Sequence, residues 1–189
     1  MSDKVLVFID AGFLSKVSKR FGEGEYIKFK ITDFVNNICS KGGYDCEKVF
    51  YYTAPPYHPN NPSKNEIYRK ERYDFFKNLL VKDGIVVREG RCQRLKIDGR
   101  SVYRQKEVDS LMIIDMMSVL VDYPDIKKVI LVSSDSDFVP VIEKLSRKGV
   151  KTILYTYFSR KRDVDFSWSN DLIRSVWRYV KLERGDFDG

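Results

Sequence analysis

Val129-Ile-Leu-Val-Ser-Ser-Asp135-Ser-Asp137-Phe-Val-Pro140 is an unbroken aliphatic run that ends in acids and then in a helix-compatible proline. A run without polar alternation is the pattern of a strand buried on both faces, as in a parallel sheet. Pro140 suits the first turn of a helix, where its missing N–H costs nothing. A buried strand feeding directly into a helix is half of a βαβ unit. The chain opens in the same way, with Val5-Leu-Val-Phe-Ile-Asp10 as an apolar run closed by an aspartate.

Outward from these two runs, β-branched and aromatic stretches recur at 48–53, 84–88 and 151–157, beside 5–9 and 128–133. Helical spacing occupies 12–20, 30–41, 64–82, 107–121 and 138–148. Alternating strands and helices imply an α/β fold: a three-layer α/β/α arrangement with a mostly parallel central sheet and right-handed crossovers. The Pro/Asn-rich stretch 54–62 is a loop rather than a linker, since the alternation resumes after it. Residues 1–189 are therefore expected to form one domain, with its core at about 4–181. The segment 91–104 departs from the pattern. Asp98-Gly99 flanked by alternating residues predicts an inserted β-hairpin.

The chain of 189 residues carries a net charge of +7, which favours polyanionic partners. Between Arg88 and Lys106 lie seven basic residues against only Glu89 and Asp98. Arg91, Arg94, Lys96, Arg100, Arg104 and Lys106 make the hairpin a candidate ribbon for a phosphodiester backbone. Charged edges that discourage strand aggregation would account for the same residues. Cys39, Cys46 and Cys92 lack CxxC spacing and His58 stands alone, which argues against a disulfide framework or a zinc site. The six-residue apolar run near the N-terminus is shorter than the apolar region of a signal peptide, and no stretch reaches membrane-spanning length. A soluble, cytoplasmic protein is expected, with no membrane partner and no small-molecule cofactor. A homodimer is compatible with these features.

Asp10 and Asp135 follow buried runs at sheet ends, where open α/β sheets bind ligands. Asp137, just before Phe138-Val-Pro140, suits a helix N-cap, and Asp109 falls in the first turn of the 107–121 helix. Capping alone would explain Asp137 and Asp109, but it explains Asp10 and Asp135 less well. Four acids converging on one crevice would repel one another unless a cation sat among them. Oxygen-only ligands select Mg²⁺ or Mn²⁺, and such ions support phosphodiester hydrolysis without a protein nucleophile. Asp115 lies about 120° from Asp109 on a helical wheel, so it is expected to be hydrogen-bonded in a structural role. A phosphatase using Asp135-x-Asp137 is disfavoured because that pair follows the fourth strand of the alternation rather than the first. A dinucleotide-binding protein is disfavoured because no GxGxxG follows the first strand.

These motifs, taken in order, resemble the NYN domain family of the PIN-like nuclease superfamily, and most closely its LabA-like branch. Phe8-Ile-Asp10-Ala-Gly-Phe-Leu14 is similar to the opening strand motif, and Tyr51-Tyr-Thr-Ala-Pro-Pro56 to the second. Arg104-Gln-Lys-Glu-Val-Asp109-Ser-Leu-Met-Ile-Ile-Asp115-Met is similar to the Lys-x-Val-Asp helix motif. Leu131-Val-Ser-Ser-Asp135-Ser-Asp137-Phe-Val-Pro140 with Leu145-Ser-Arg-Lys-Gly149 is similar to the most specific signature. Ser169-Asn-Asp-Leu-Ile-Arg-Ser175 is similar to the closing helix, and the resemblance covers roughly residues 4–181. It implies a PIN-like fold and a metal-dependent ribonuclease acting on RNA, with Asp10, Asp109, Asp135 and Asp137 as catalytic, metal-binding acids. Phe13 stands where many relatives carry Asn, and Val176-Trp177 where some carry an acid. An RNA-binding module of the same fold with weak catalysis is the alternative.

Overall fold

Successive residues of β1 (Asp3–Asp10) point to opposite faces of the sheet, and both faces are covered. Val5, Val7 and Ile9 enter one apolar core, while Leu6 and Phe8 enter a second on the other side. All five are inaccessible to solvent, so no position in the run calls for a polar residue. The same division holds in β6 (Lys128–Val132) and β7 (Lys151–Thr156). α1 (Ala11–Phe21) and α2 (Ile31–Gly42) close the first core. α4 (Val108–Asp122) and α5 (Val139–Arg147) close the second. The observed architecture is the expected three-layer α/β/α one. The computed structural model describes residues 2–98, 100–158, 166 and 169–189.

β2 (Tyr44–Thr53), β3 (Val86–Glu89) and β8 (Arg178–Lys181) complete a six-stranded sheet in the order β3-β2-β1-β6-β7-β8. Every neighbouring pair is parallel. From β1 the chain builds outward to one edge, returns to the other flank of β1 as β6, and builds outward again. That reversal opens a crevice at the carboxyl ends of β1 and β6, the place where open α/β sheets bind ligands. Asp10 ends β1, and residues 133–137 leave β6.

The connection from β3 to α4 carries the hairpin, β4 (Arg91–Ile97) and β5 (Arg100–Lys106), paired antiparallel. Asp98 has a φ of +50°, the left-handed start that a tight two-residue turn requires. Gly99, the other residue of the expected turn, lies outside the described residues. At the hairpin base the Gly90 N–H donates to the Thr53 carbonyl at 2.9 Å. A Cβ on Gly90 would stand 2.3 Å from the Lys106 carbonyl oxygen, so only glycine lets these segments pass so closely.

Two elements carry no readable period. β8, Arg-Tyr-Val-Lys, is a short charged edge strand, and the charge that protects an edge also hides it. A 3₁₀ turn at Arg184–Phe187 drives Phe187 into the first core, with ring centroids 4.9 Å from Phe29 and 5.1 Å from Phe34. α3 (Lys64–Lys82) starts at a capping box formed by Ser63 and Glu66, and α6 (Asn170–Ser175) is the short closing helix.

Candidate functional site

Asp10 both ends β1 and caps α1, where its Oδ1 accepts the Phe13 N–H at 3.1 Å. Ser133, buried directly after β6, donates its hydroxyl to Asp10 Oδ2 at 3.3 Å and accepts the Asp135 N–H at 3.2 Å. Asp135 in turn accepts the Asp137 N–H on Oδ1 at 2.9 Å and caps the 3₁₀ turn Ser136–Phe138. One serine and two caps therefore orient the acids that leave the two central strands.

This corrects the capping assignment drawn from sequence. The caps are Asp10 and Asp135, whereas Asp137 and Asp109 cap nothing among the described residues. The 3₁₀ turn inserted between β6 and α5 moves the cap position two residues earlier than the proline implied. α5 then starts on Phe138 without a side-chain cap, and α4 starts on Glu107 without one. Among the described residues, the Asp109 and Asp137 carboxylates have neither a hydrogen-bond nor an ion-pair partner.

The four acids share one field although they come from separate segments. Burial raises the Asp10 carboxyl above its ordinary range, and the Asp135 charge adds to this, against the pull of the Phe13 and Gly12 N–H groups and Ser133. Asp109 is exposed, yet partial desolvation at the crevice raises its carboxyl, and the charges of Asp10, Asp135 and Asp137 push it further. Like charges brought together in this way favour protonation or a bound cation. The donors are all oxygen, the type that hard divalent cations take. Among the described residues, no three Asp, Glu, His or Cys side chains already surround one point at metal-binding spacing.

Asp115 faces elsewhere, as the helical wheel implies. It accepts the Tyr52 hydroxyl at 2.8 Å and a bidentate pair from Arg88 Nε and Nη2, both at 2.7 Å. Arg88 is thereby withdrawn from the basic ribbon and ties β3 to α4. Asp115→Ala would leave the fully buried Tyr52 hydroxyl without its acceptor and strand the guanidinium. It is expected to cost about 2–3 kcal/mol in urea unfolding. A loss below about 0.5 kcal/mol would show that the triad is dispensable.

The hairpin meets the site on one of its faces. A Cβ on Gly12 would stand 3.2 Å from Asp10 Oδ1 and 3.7 Å from Gln105 Oε1, so Gln105 of β5 reaches the mouth of the crevice. The register puts Arg94 opposite Tyr103 and Lys96 opposite Ser101 on the same face as Gln105. Arg91, Arg100, Arg104 and Lys106 lie on the other face, and Arg91 is paired with Glu107 at 2.9 Å. The six basic residues are thus split between two faces rather than forming one stripe.

Ser133, Gln105 and Gly12 were missed as site residues. Only the position of Ser133 beside Asp135, directly after a buried run, could have signalled its role. Asp171 of α6 lines a cleft with Ser136, Glu143 and Arg174, beside the 3₁₀ turn that follows Asp135. Phe13 is buried in the first core, so its side chain brings no polar group to Asp10.

A crystal structure of a protein of unknown function from Vibrio parahaemolyticus shares the fold. The TM-score is 0.62 at 17% identity, covering 98% of this chain and 96% of that one. No curated protein matches the chain. Among the described residues, no helix is long and apolar enough to cross a membrane. The NYN domain model matches residues 4–183, from β1 to beyond β8. The chain therefore belongs to the NYN domain family, which is generally one of nuclease-type domains.

Proposed function

We propose that this chain is a metal-dependent ribonuclease of the LabA-like branch, hydrolysing RNA phosphodiester bonds at the crevice between β1 and β6. The observation that carries the reading is the Ser133 bridge at the carboxyl ends of β1 and β6, where one hydroxyl donates to Asp10 and accepts the Asp135 N–H, with Asp109 in the field of Asp10, Asp135 and Asp137. Such a cluster lowers stability without a counter-ion, and a phosphodiesterase of this type gains from it only by holding a cation. Asp10, Asp109, Asp135 and Asp137 would hold Mg²⁺ or Mn²⁺, with water and substrate oxygens completing a shell that protein donors leave open. When bound, such an ion supplies charge neutralisation and activation of a water.

The chain's own residues do the positioning. Ser133 holds Asp10 and Asp135 in mutual register through one hydroxyl. Arg94 and Lys96, on the hairpin face that carries Gln105, would hold phosphates leading to the crevice. Arg91, Arg100, Arg104 and Lys106 would add attraction from the other face.

The test is cleavage of labelled RNA and DNA in Mg²⁺, Mn²⁺ or EDTA, by the parent and by Asp135→Asn. The amide oxygen of Asn still caps the Asp137 N–H, so folding is preserved while charge is lost. RNA cleavage that requires a divalent ion and disappears in the variant supports the reading. That no three-donor set is preassembled among the described residues favours a second reading, an RNA-binding module with little turnover. Equal inertness of both proteins, with RNA binding retained, would establish that one instead.

A further inference from the structure

We propose that Tyr103, Tyr57 and Arg94 form a base-stacking subsite that receives an unpaired nucleotide next to the acidic crevice. The proposal rests on the ribonuclease reading for its ligand class. The Tyr57 and Tyr103 rings lie with centroids 5.8 Å apart and planes inclined at 49°. The Arg94 guanidinium sits 5.7 Å from the Tyr57 ring centre. Tyr103 remains 47% exposed, which leaves ring surface open to solvent. The three residues come from different segments: the 54–62 loop, with Pro55 and Pro56 directly before Tyr57, and the two strands of the hairpin.

Position gives the cluster its meaning. Tyr103 and Gln105 share a face of β5, two residues apart, a spacing of about 7 Å along a strand. Gln105 reaches Gly12 beside Asp10, so the aromatic pair lies about one nucleotide's reach from the acids. Lys96 follows on the same face, opposite Ser101. A single strand laid along this face would pass Lys96, stack a base at Tyr103 with Arg94 near its phosphate, and bring the next linkage to the crevice. Aromatic rings accept any base because every base has a π-face, and Arg adds a cation–π term. A duplex keeps its base faces stacked inside and offers none to Tyr103. A purely structural role, pinning the hairpin to the loop, would need the rings but not an open ring surface.

The test is binding of a fluorescently labelled single-stranded RNA 12-mer and of its duplex, by anisotropy in EDTA, to the parent, Tyr103→Ala and Tyr103→Phe. Tyr103→Ala is expected to weaken single-strand binding about 10-fold, leaving the duplex affinity and the salt slope unchanged. Tyr103→Phe should bind as the parent does, because stacking uses the ring rather than the hydroxyl. Arg94→Ala should weaken binding and reduce the salt slope by about one ion. An unchanged single-strand affinity in Tyr103→Ala overturns the subsite and leaves the nuclease reading intact. Equal losses for single strand and duplex overturn it too, since they mark a displaced hairpin. Failure of the parent to bind or cleave any RNA overturns both.

Discussion

Asp10→Asn is expected to abolish divalent-dependent RNA cleavage while leaving the metal-free protein at least as stable as the parent. Asn replaces Asp at an N-cap almost without cost, so the hydrogen bond to Phe13 N–H survives. What is lost is a charge held in a half-buried place beside Asp135. Loss of a group that merely supports a metal ligand costs roughly 10–100-fold in activity, and loss of a ligand should exceed that. A readout independent of turnover is available. With Mg²⁺ at a hundredfold excess over its Kd, the parent should gain about 2.7 kcal/mol, which for a chain of this size is a rise of about 5–10 °C in Tm. The variant should gain far less. A parallel rise in both proteins, or cleavage retained by Asp10→Asn, would remove Asp10 from the site.

The pH dependence has a definite sign. The folded pKa values of Asp10 and Asp109 are raised, so in the window above the ordinary carboxylate range the folded state binds more protons than the unfolded one. Their contribution therefore lowers stability as pH rises through that window, and relieves it as pH falls toward about 4. Surface carboxylates with lowered values, such as Glu47 beside Lys4, act in the opposite sense. The informative quantity is the parent-minus-variant difference without divalent ions. It should favour Asp10→Asn most at neutral pH and shrink on acidification.

Gly90→Ala should be strongly damaging although Gly90 is not one of the acids. The added Cβ would meet the Lys106 carbonyl at 2.3 Å, Val108 Cγ2 at 2.8 Å and Val108 N at 3.0 Å. Two of these three are backbone atoms that no rotamer change can move. Overpacking of this kind costs about 1–3 kcal/mol, and here the upper end is expected, a drop of about 5–10 °C in Tm. The strain falls where the hairpin leaves β3 and where α4 begins, so Asp109 and Gln105 should both shift and cleavage should fall with stability. Glu107→Gly is the matched control at the same junction. Glu107 adopts a φ of +72°, which Gly takes freely, and its ion pair with Arg91 is solvent-exposed. Its stability should stay within about 1 kcal/mol of the parent. If Gly90→Ala were as mild as Glu107→Gly, the junction would not be the tight crossing described.

The fold was readable because its signals are local. Val5–Ile9 and Val129–Val132 lack polar alternation because both sheet faces are covered, and Pro140 marks a helix start to within a few residues. β8 escaped because an edge strand of four residues with charged ends has too short a period to detect. The position of Asp115 off the site followed from helical geometry alone, since six residues of helix rotate it away from Asp109. Its partners, Tyr52 and Arg88, did not, because they arrive from β2 and β3 through separate crossovers.

The acids show the same boundary. Strand ends marked Asp10 and Asp135 as candidates, because an acid at the end of a buried run is visible along the chain, while Asp109 and Asp137 stood at helix starts and were joined to them by the family resemblance. Which of them cap, which stand without partners, and how strongly they repel one another depended on the strand order and on the 3₁₀ turn after β6. The six basic residues of the hairpin were countable in the sequence, but strand register split them between two faces and aligned Tyr103 with Gln105 instead. Composition and period are properties of neighbours along the chain. Field, face and crevice arise from residues brought together by crossovers, and only the folded sheet sets those distances.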